Sequence, residues 1–153
     1  MMQWMILPFK RYFDFQGRSR RLEFWMFALL NMLVSLVLAI AVLGTGSTMQ
    51  QLEASDPNDP ASAYSLIFGG VGMLFLLWGL VILIPSIAVS VRRLHDRDMT
   101  GWWYLGFIIL GFIPLIGLLA SIAFIVIMAL PGTPGPNRFG PSPKEQVTAA
   151  TFE

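Results

Sequence analysis

The chain has no cysteine and a single histidine among its 153 residues. Disulfides, thiolate nucleophiles and thiolate metal sites are excluded, and one imidazole cannot build a histidine metal centre, so no metal and no cofactor are expected. Charge is also scarce. Asp, Glu, Lys and Arg make up 12% of the residues, against roughly 25% in a soluble domain. So few charges cannot cover a water-facing surface. A net charge of +1 gives no basic field of the size nucleic acid requires. What is abundant is apolar: 56% hydrophobic residues and a mean hydropathy of +0.68. The length suits one domain, and the composition suits a lipid solvent.

The few charges leave long gaps. None lies between Glu23 and Glu53, between Asp59 and Arg92, or between Asp98 and Arg138. A span needs about 20 apolar residues to cross about 30 Å of hydrocarbon. The stretches 24–44, 66–91 and 102–130 meet that length, so the expected fold is all-α, a small multi-pass transmembrane helical bundle. Residues 1–23 precede it as a cytoplasmic, basic, interfacial segment, in which Trp4, Ile6, Phe9, Tyr12 and Phe13 interleave with Lys10 and Arg11. The first apolar run is too long, and begins too late, for a signal peptide, and reads as a retained anchor. Residues 131–153 follow as a Pro/Gly-rich tail whose polar end is expected to be mobile.

Orientation follows from the cations. Lys10, Arg11, Arg18, Arg20 and Arg21 precede the first span, Arg92, Arg93 and Arg97 follow the second, and the loop 45–65 between those spans has no Lys or Arg. Lys and Arg collect on cytoplasmic loops. The amino terminus and the loop 92–101 are therefore expected inside, and the loop 45–65, turn-rich at Asp56-Pro57 and Asp59-Pro60, outside. Trp4, Trp25, Trp102 and Trp103 suit interfacial anchors. The stretch 102–130 is long for one span and short for two. Pro114 allows a kinked single span, whereas Gly111 and Gly117 around it allow a hairpin. Length favours the single span, and we take that as the expectation; the tail cations Arg138 and Lys144 favour the hairpin.

Lipid gives helices no hydrophobic reward for associating, so small residues must let them pack closely. Gly72, Gly79 and Ser86 recur every seven residues in the second span, and Asn31 and Ser35 lie one turn apart in the first. These positions are expected to pack helices within the bundle, with Asn31 hydrogen-bonding across to a neighbour. Pro85 should kink the second span.

The densest polar stretch is Arg92-Arg93-Leu94-His95-Asp96-Arg97-Asp98. His95 and Asp96 could pair as a base and its orienting carboxylate, but no nucleophile motif accompanies them, and neighbours on a helix point apart. The cluster reads as an interfacial anchor, not a catalytic site. Glu23, at the mouth of the first span, would be costly alone. Arg20 could serve it locally; an interhelical bridge to Arg92 or Arg93 is the sharper expectation.

Three pieces, in order, resemble one family: Gly17-Arg18-Ser19-Arg20-Arg21-Leu22-Glu23-Phe24-Trp25; Arg92-Arg93-Leu94-His95-Asp96 followed by Gly101-Trp102-Trp103; and Pro131-Gly132-Thr133-Pro134-Gly135-Pro136-Asn137-Arg138-Phe139-Gly140-Pro141. The chain is similar, from about Phe15 to Pro143, to the bacterial inner-membrane family called domain of unknown function 805. The resemblance implies a small multi-pass protein of the cytoplasmic membrane and no assigned activity. If the three pieces mark one site they should meet, which requires the chain to reverse near 111–117, and the resemblance so raises the hairpin. The loop 45–65 matches nothing in the family.

The expected function is that of a non-enzymatic membrane component. Its cytoplasmic arginines (Arg18, Arg20, Arg21, Arg92, Arg93 and Arg97) would engage anionic headgroups or another membrane protein, with homo-oligomerisation open. The rival is a small oligomeric transporter or channel subunit, weakened by the absence of any charge within a span.

Overall fold

The computed structural model describes residues 2–44 and 70–144 and, between them, residues 50, 53, 56, 58, 59, 61, 62, 64 and 68. Most of the loop 45–65, the start of the second span and the tail beyond 144 lie outside the described residues. Five helices have defined bounds: α1 (Met2–Lys10), α2 (Arg21–Gly44), α3 (Gly70–Asp96), α4 (Trp102–Gly111) and α5 (Ile116–Ala129). No strand is formed among the described residues beyond an isolated bridge between Asn137 and Gly140. The chain divides into two compact units, Met1–Ala28 with Ile84–Glu153, and Leu29–Leu83.

Two helices are long and apolar enough to cross a bilayer, over Arg21–Ala41 and Gly72–Asp96. Their large apolar side chains lie mostly on the outside, such as Val37 at 65% and Leu80 at 58% exposure. A core helix of a soluble protein would hide them, whereas a lipid-facing helix shows them. The fold is thus a small helical membrane bundle. Pro85 is buried inside α3, which continues on both sides of it.

The single span expected over 102–130 does not form. The helix stops at Gly111 and restarts at Ile116, and α4 and α5 pack back on one another. Tyr104 and Phe107 near the start of the hairpin meet Phe124 in its second half, with ring centroids 5.9 and 5.4 Å apart. The cause is local. Pro114 cannot donate to Leu110 and disfavours helical backbone at Ile113. The chain then turns at Leu115, whose φ of +66° and ψ of −52° close a γ-turn in which Ile116 N–H donates to the Pro114 carbonyl at 2.8 Å. Gly117 allows the return: a Cβ there would lie 2.6 Å from the Gly111 carbonyl oxygen. At 1.5 Å per residue the two helices measure about 15 and about 21 Å, short of a hydrocarbon core.

Within the Leu29–Leu83 unit, packing is sparse. A Cβ built on Gly79 meets nothing within 4 Å. The Asn31 side-chain oxygen is buried with no hydrogen-bond partner among the described residues. Ser35 and Gly72 are half-buried. Asp56 and Asp59 each accept from the backbone two residues on, at 2.9 and 3.0 Å, the side-chain turns their Pro neighbours suggested.

Candidate functional site

The polar centre lies wholly in the Met1–Ala28 and Ile84–Glu153 unit, where α3 ends. That end is closed by a left-handed residue, Asp98 at φ +58°. Asp98 N–H donates to the His95 carbonyl and Met99 N–H to the Leu94 carbonyl, both at 3.0 Å. This is a Schellman cap with aspartate in the place glycine usually takes. Two carbonyls of the last turn also receive donors from the tail. Asn137 Nδ2 donates to the His95 oxygen at 2.8 Å and Thr133 N–H to the Asp96 oxygen at 2.9 Å. The tail is therefore held at Thr133 and Asn137; its polar end beyond 144, expected to be mobile, lies outside the described residues. Gly132 lies so close to Asp96 that a Cβ would sit 2.0 Å from its carboxylate.

Five charged side chains are buried here: Arg18, Arg92 and Arg93 against Glu23 and Asp96. Arg92 Nη2 donates to Glu23 Oε1 at 2.8 Å, which is the interhelical bridge, made with Arg92 and not with Arg20 or Arg93. Ser19 Oγ donates to the other Glu23 oxygen at 2.7 Å. Asp96 is shared: Arg18 Nε donates to Oδ1 at 2.9 Å and Arg93 Nη1 to Oδ2. Buried charges need such pairing, because desolvation otherwise costs several kcal/mol per ion, roughly.

Two carboxylates cannot match three guanidinium groups, and backbone carbonyls supply the remainder. Arg93 donates to the Met128 oxygen at 3.1 Å and to the Leu130 oxygen, and Arg21 to the Ala129 oxygen at 3.2 Å. These are orphan acceptors at the negative end of α5. Arg92 donates to the Arg11 oxygen at 3.3 Å and to the Asp14 oxygen, just past the end of α1. Arg18 holds the tail through Thr133 O and Gly135 O, each at 2.6 Å. The cluster is a knot that ties α1, α3, α5 and the tail through the ends of helices. Arg92 and Arg93 are 0% exposed, and Arg18 is 6% exposed, so none of the three is available as the headgroup contact expected of them.

Around the knot lie half-buried and exposed groups. The His95 ring nitrogen Nδ1 donates to the Gly17 carbonyl at 3.1 Å, where Gly17 takes a φ of +76°. The imidazole stacks on Phe139 with centroids 3.9 Å apart and planes 3° from parallel. Arg138 covers the other ring at 4.8 Å and pairs with Asp98 at 3.1 Å. Phe139 is placed by a tight turn in which Asn137 and Gly140 exchange backbone bonds at 3.0 Å. No acid–base pair results: Asp96 serves two arginines, while His95 serves Gly17. Arg20 lies 5.6 Å from the Trp4 ring and donates to the Pro143 carbonyl at 2.9 Å. Arg97 donates to the Pro131 carbonyl at 2.5 Å. Trp25, Trp102 and Trp103 are exposed, and Ser86 is half-buried and accepts from Ser90 Oγ through its carbonyl at 2.7 Å. Asp14 is partly exposed. Burial pushes its carboxyl up, but the Arg11 guanidinium, the Gln16 N–H and the Arg92 charge together hold it below the usual range.

Residues 12–141 match the family described as Protein of unknown function (DUF805). The chain belongs to that family. The knot draws on all three pieces that carry the resemblance, through Arg18, Ser19 and Glu23, through Arg92, Arg93 and Asp96, and through Thr133 and Gly135. Two relatives from Escherichia coli strain K12 carry the name inner membrane protein: YhaH, 38% identical, and YhaI, 35% identical. Each alignment covers 94% of this chain, and 98% and 97% of the relative. No solved structure matches the chain. The protein is a bacterial inner-membrane protein of a family with no assigned role.

Ser19 and Thr133 in the knot, and Lys144 beside it, were missing from the sequence-derived set. Ser19 could have been found as a hydroxyl one turn before the buried Glu23. The carbonyls that hold the arginines carry no residue-specific signal at all.

Proposed function

We propose that this DUF805 protein is a non-enzymatic, multi-pass component of the bacterial inner membrane, with its amino terminus, its charged knot and its tail in the cytoplasm, and that its cationic face binds anionic lipid headgroups. One observation carries the reading. All ten Lys and Arg residues fall at 10–21, 92–97 and 138–144, inside the single unit that holds the knot. Cations so distributed mark a cytoplasmic face, and the hairpin supports a tail on that same side. The knot consumes the charge of Arg18, Arg92 and Arg93, while other cations of that unit stay exposed and can each gain about 1 kcal/mol near an anionic leaflet.

The test has two arms. A reporter fused after Glu153 should be active only in the cytoplasm. Protein extracted with its surrounding lipid should carry more anionic phospholipid than the bulk membrane. Activity of the reporter outside, or unenriched lipid, overturns the corresponding half of the reading.

A transporter or channel subunit is the second reading, favoured by the buried oxygen of Asn31, which has no hydrogen-bond partner among the described residues. Flux in proteoliposomes that disappears in Asn31→Leu would establish it.

A further inference from the structure

Beside the knot lies a cleft of about 260 Å³ lined by Arg18, Arg20, Arg21, Lys144 and Asp96, with residues 132–135 and 142–143 completing it. Arg18, Arg20 and Arg21 face one carboxylate, and that carboxylate already serves Arg18 and Arg93. The cleft therefore carries a surplus of positive charge. Arg18 is spent on Asp96 and the tail carbonyls. Arg20 and Arg21 are not. Arg20 uses Nε and Nη2 on the Pro143 carbonyl, and Arg21 uses Nη1 on the Ala129 carbonyl. Their remaining guanidinium N–H groups have no acceptor among the described residues. A forked donor beside a second one suits a tetrahedral oxyanion.

The cleft continues into a second, apolar one. A groove of about 420 Å³ shares Arg20, Arg21 and Lys144 with it and adds Leu22, Trp25 and Ala129. Leu22 and Trp25 are 44% and 41% exposed, at the start of the first long apolar helix. Positive charge on one side and a greasy strip on the other, where an apolar helix emerges, match a molecule that is charged at one end and apolar at the other.

Resting on the lipid reading above, we propose that these two clefts form one discrete site for an anionic phospholipid. The phosphodiester is held by Arg20, Arg21 and Lys144, and the glycerol and upper acyl chain lie along Leu22 and Trp25. Trp4, packed against Arg20, sets that guanidinium in place. Arg18 of the knot holds the Thr133 and Gly135 carbonyls of the lining, so the site is preformed rather than a diffuse basic surface.

The experiment is native mass spectrometry of the full chain in neutral detergent, titrated with phosphatidylglycerol, with phosphatidylcholine of the same chains, and with inorganic phosphate. The expected result is one phosphatidylglycerol per chain at concentrations where phosphatidylcholine does not bind and phosphate does not displace it. Lys144→Gln should weaken binding about fivefold, and Arg21→Gln with Lys144→Gln about thirtyfold. Lys10→Gln, which removes an equal charge elsewhere, should leave it unchanged. Should loss of the Arg21 bond to α5 unfold the double variant, Lys144→Gln alone decides. Phosphatidylglycerol binding that Lys144→Gln leaves as tight as in the wild type overturns this site and leaves the broader lipid reading standing. No preference in the wild type overturns both. Displacement by phosphate would assign the cleft to a soluble anion and overturn the lipid.

Discussion

The two units of this chain are held by different means. In Met1–Ala28 with Ile84–Glu153, guanidinium groups reach carboxylates and carbonyls up to 123 residues away in sequence. In Leu29–Leu83, Gly79 has open space around it and the Asn31 oxygen has no partner among the described residues. The difference follows from the solvent. Hydrocarbon offers apolar side chains nothing to gain from one another, so long-range structure concentrates where polar groups must be paired.

Three substitutions test that contrast. Asp96→Asn should have the largest effect, because it leaves Arg18 and Arg93 without their shared charge; we expect a loss of about 3–5 kcal/mol. Unfolding in mixed detergent, followed by circular dichroism, would measure it. A loss below about 1 kcal/mol would remove the knot as the main source of stability. Gly117→Ala comes next. A methyl cannot fit 2.6 Å from the Gly111 carbonyl, and the hairpin must open at a cost of about 1–3 kcal/mol. Reduced cross-linking yield between cysteines placed at Tyr104 and Phe124 would report it, and an unchanged yield would mean the two helices do not approach as described. Gly79→Ala should be the mildest, within about 0.5 kcal/mol of wild type. A large loss there would mean that the second unit is as tightly packed as the first.

Much of the architecture was legible from residue order. The gaps between Glu23 and Glu53 and between Asp59 and Arg92 located the two long helices, and the cost of a lone carboxylate at Glu23 called for a partner across helices. The stretch 102–130 was misjudged because length argues for one span while the break depends on two local facts, Pro114 and the close approach of Gly117 to Gly111. Arg92 and Arg93 looked like surface cations because a guanidinium beside an apolar run usually snorkels outward. Here the ends of α1 and α5 meet them instead.

Composition and charge spacing alone determined where this polypeptide is dry and where it is wet, because the cost of placing each side chain in lipid depends mainly on that side chain. The tertiary structure decided which arginines are spent in the knot and which stay outside it. Their acceptors are backbone oxygens at helix ends, identical in every residue type, and only the fold determines which of them lie within reach.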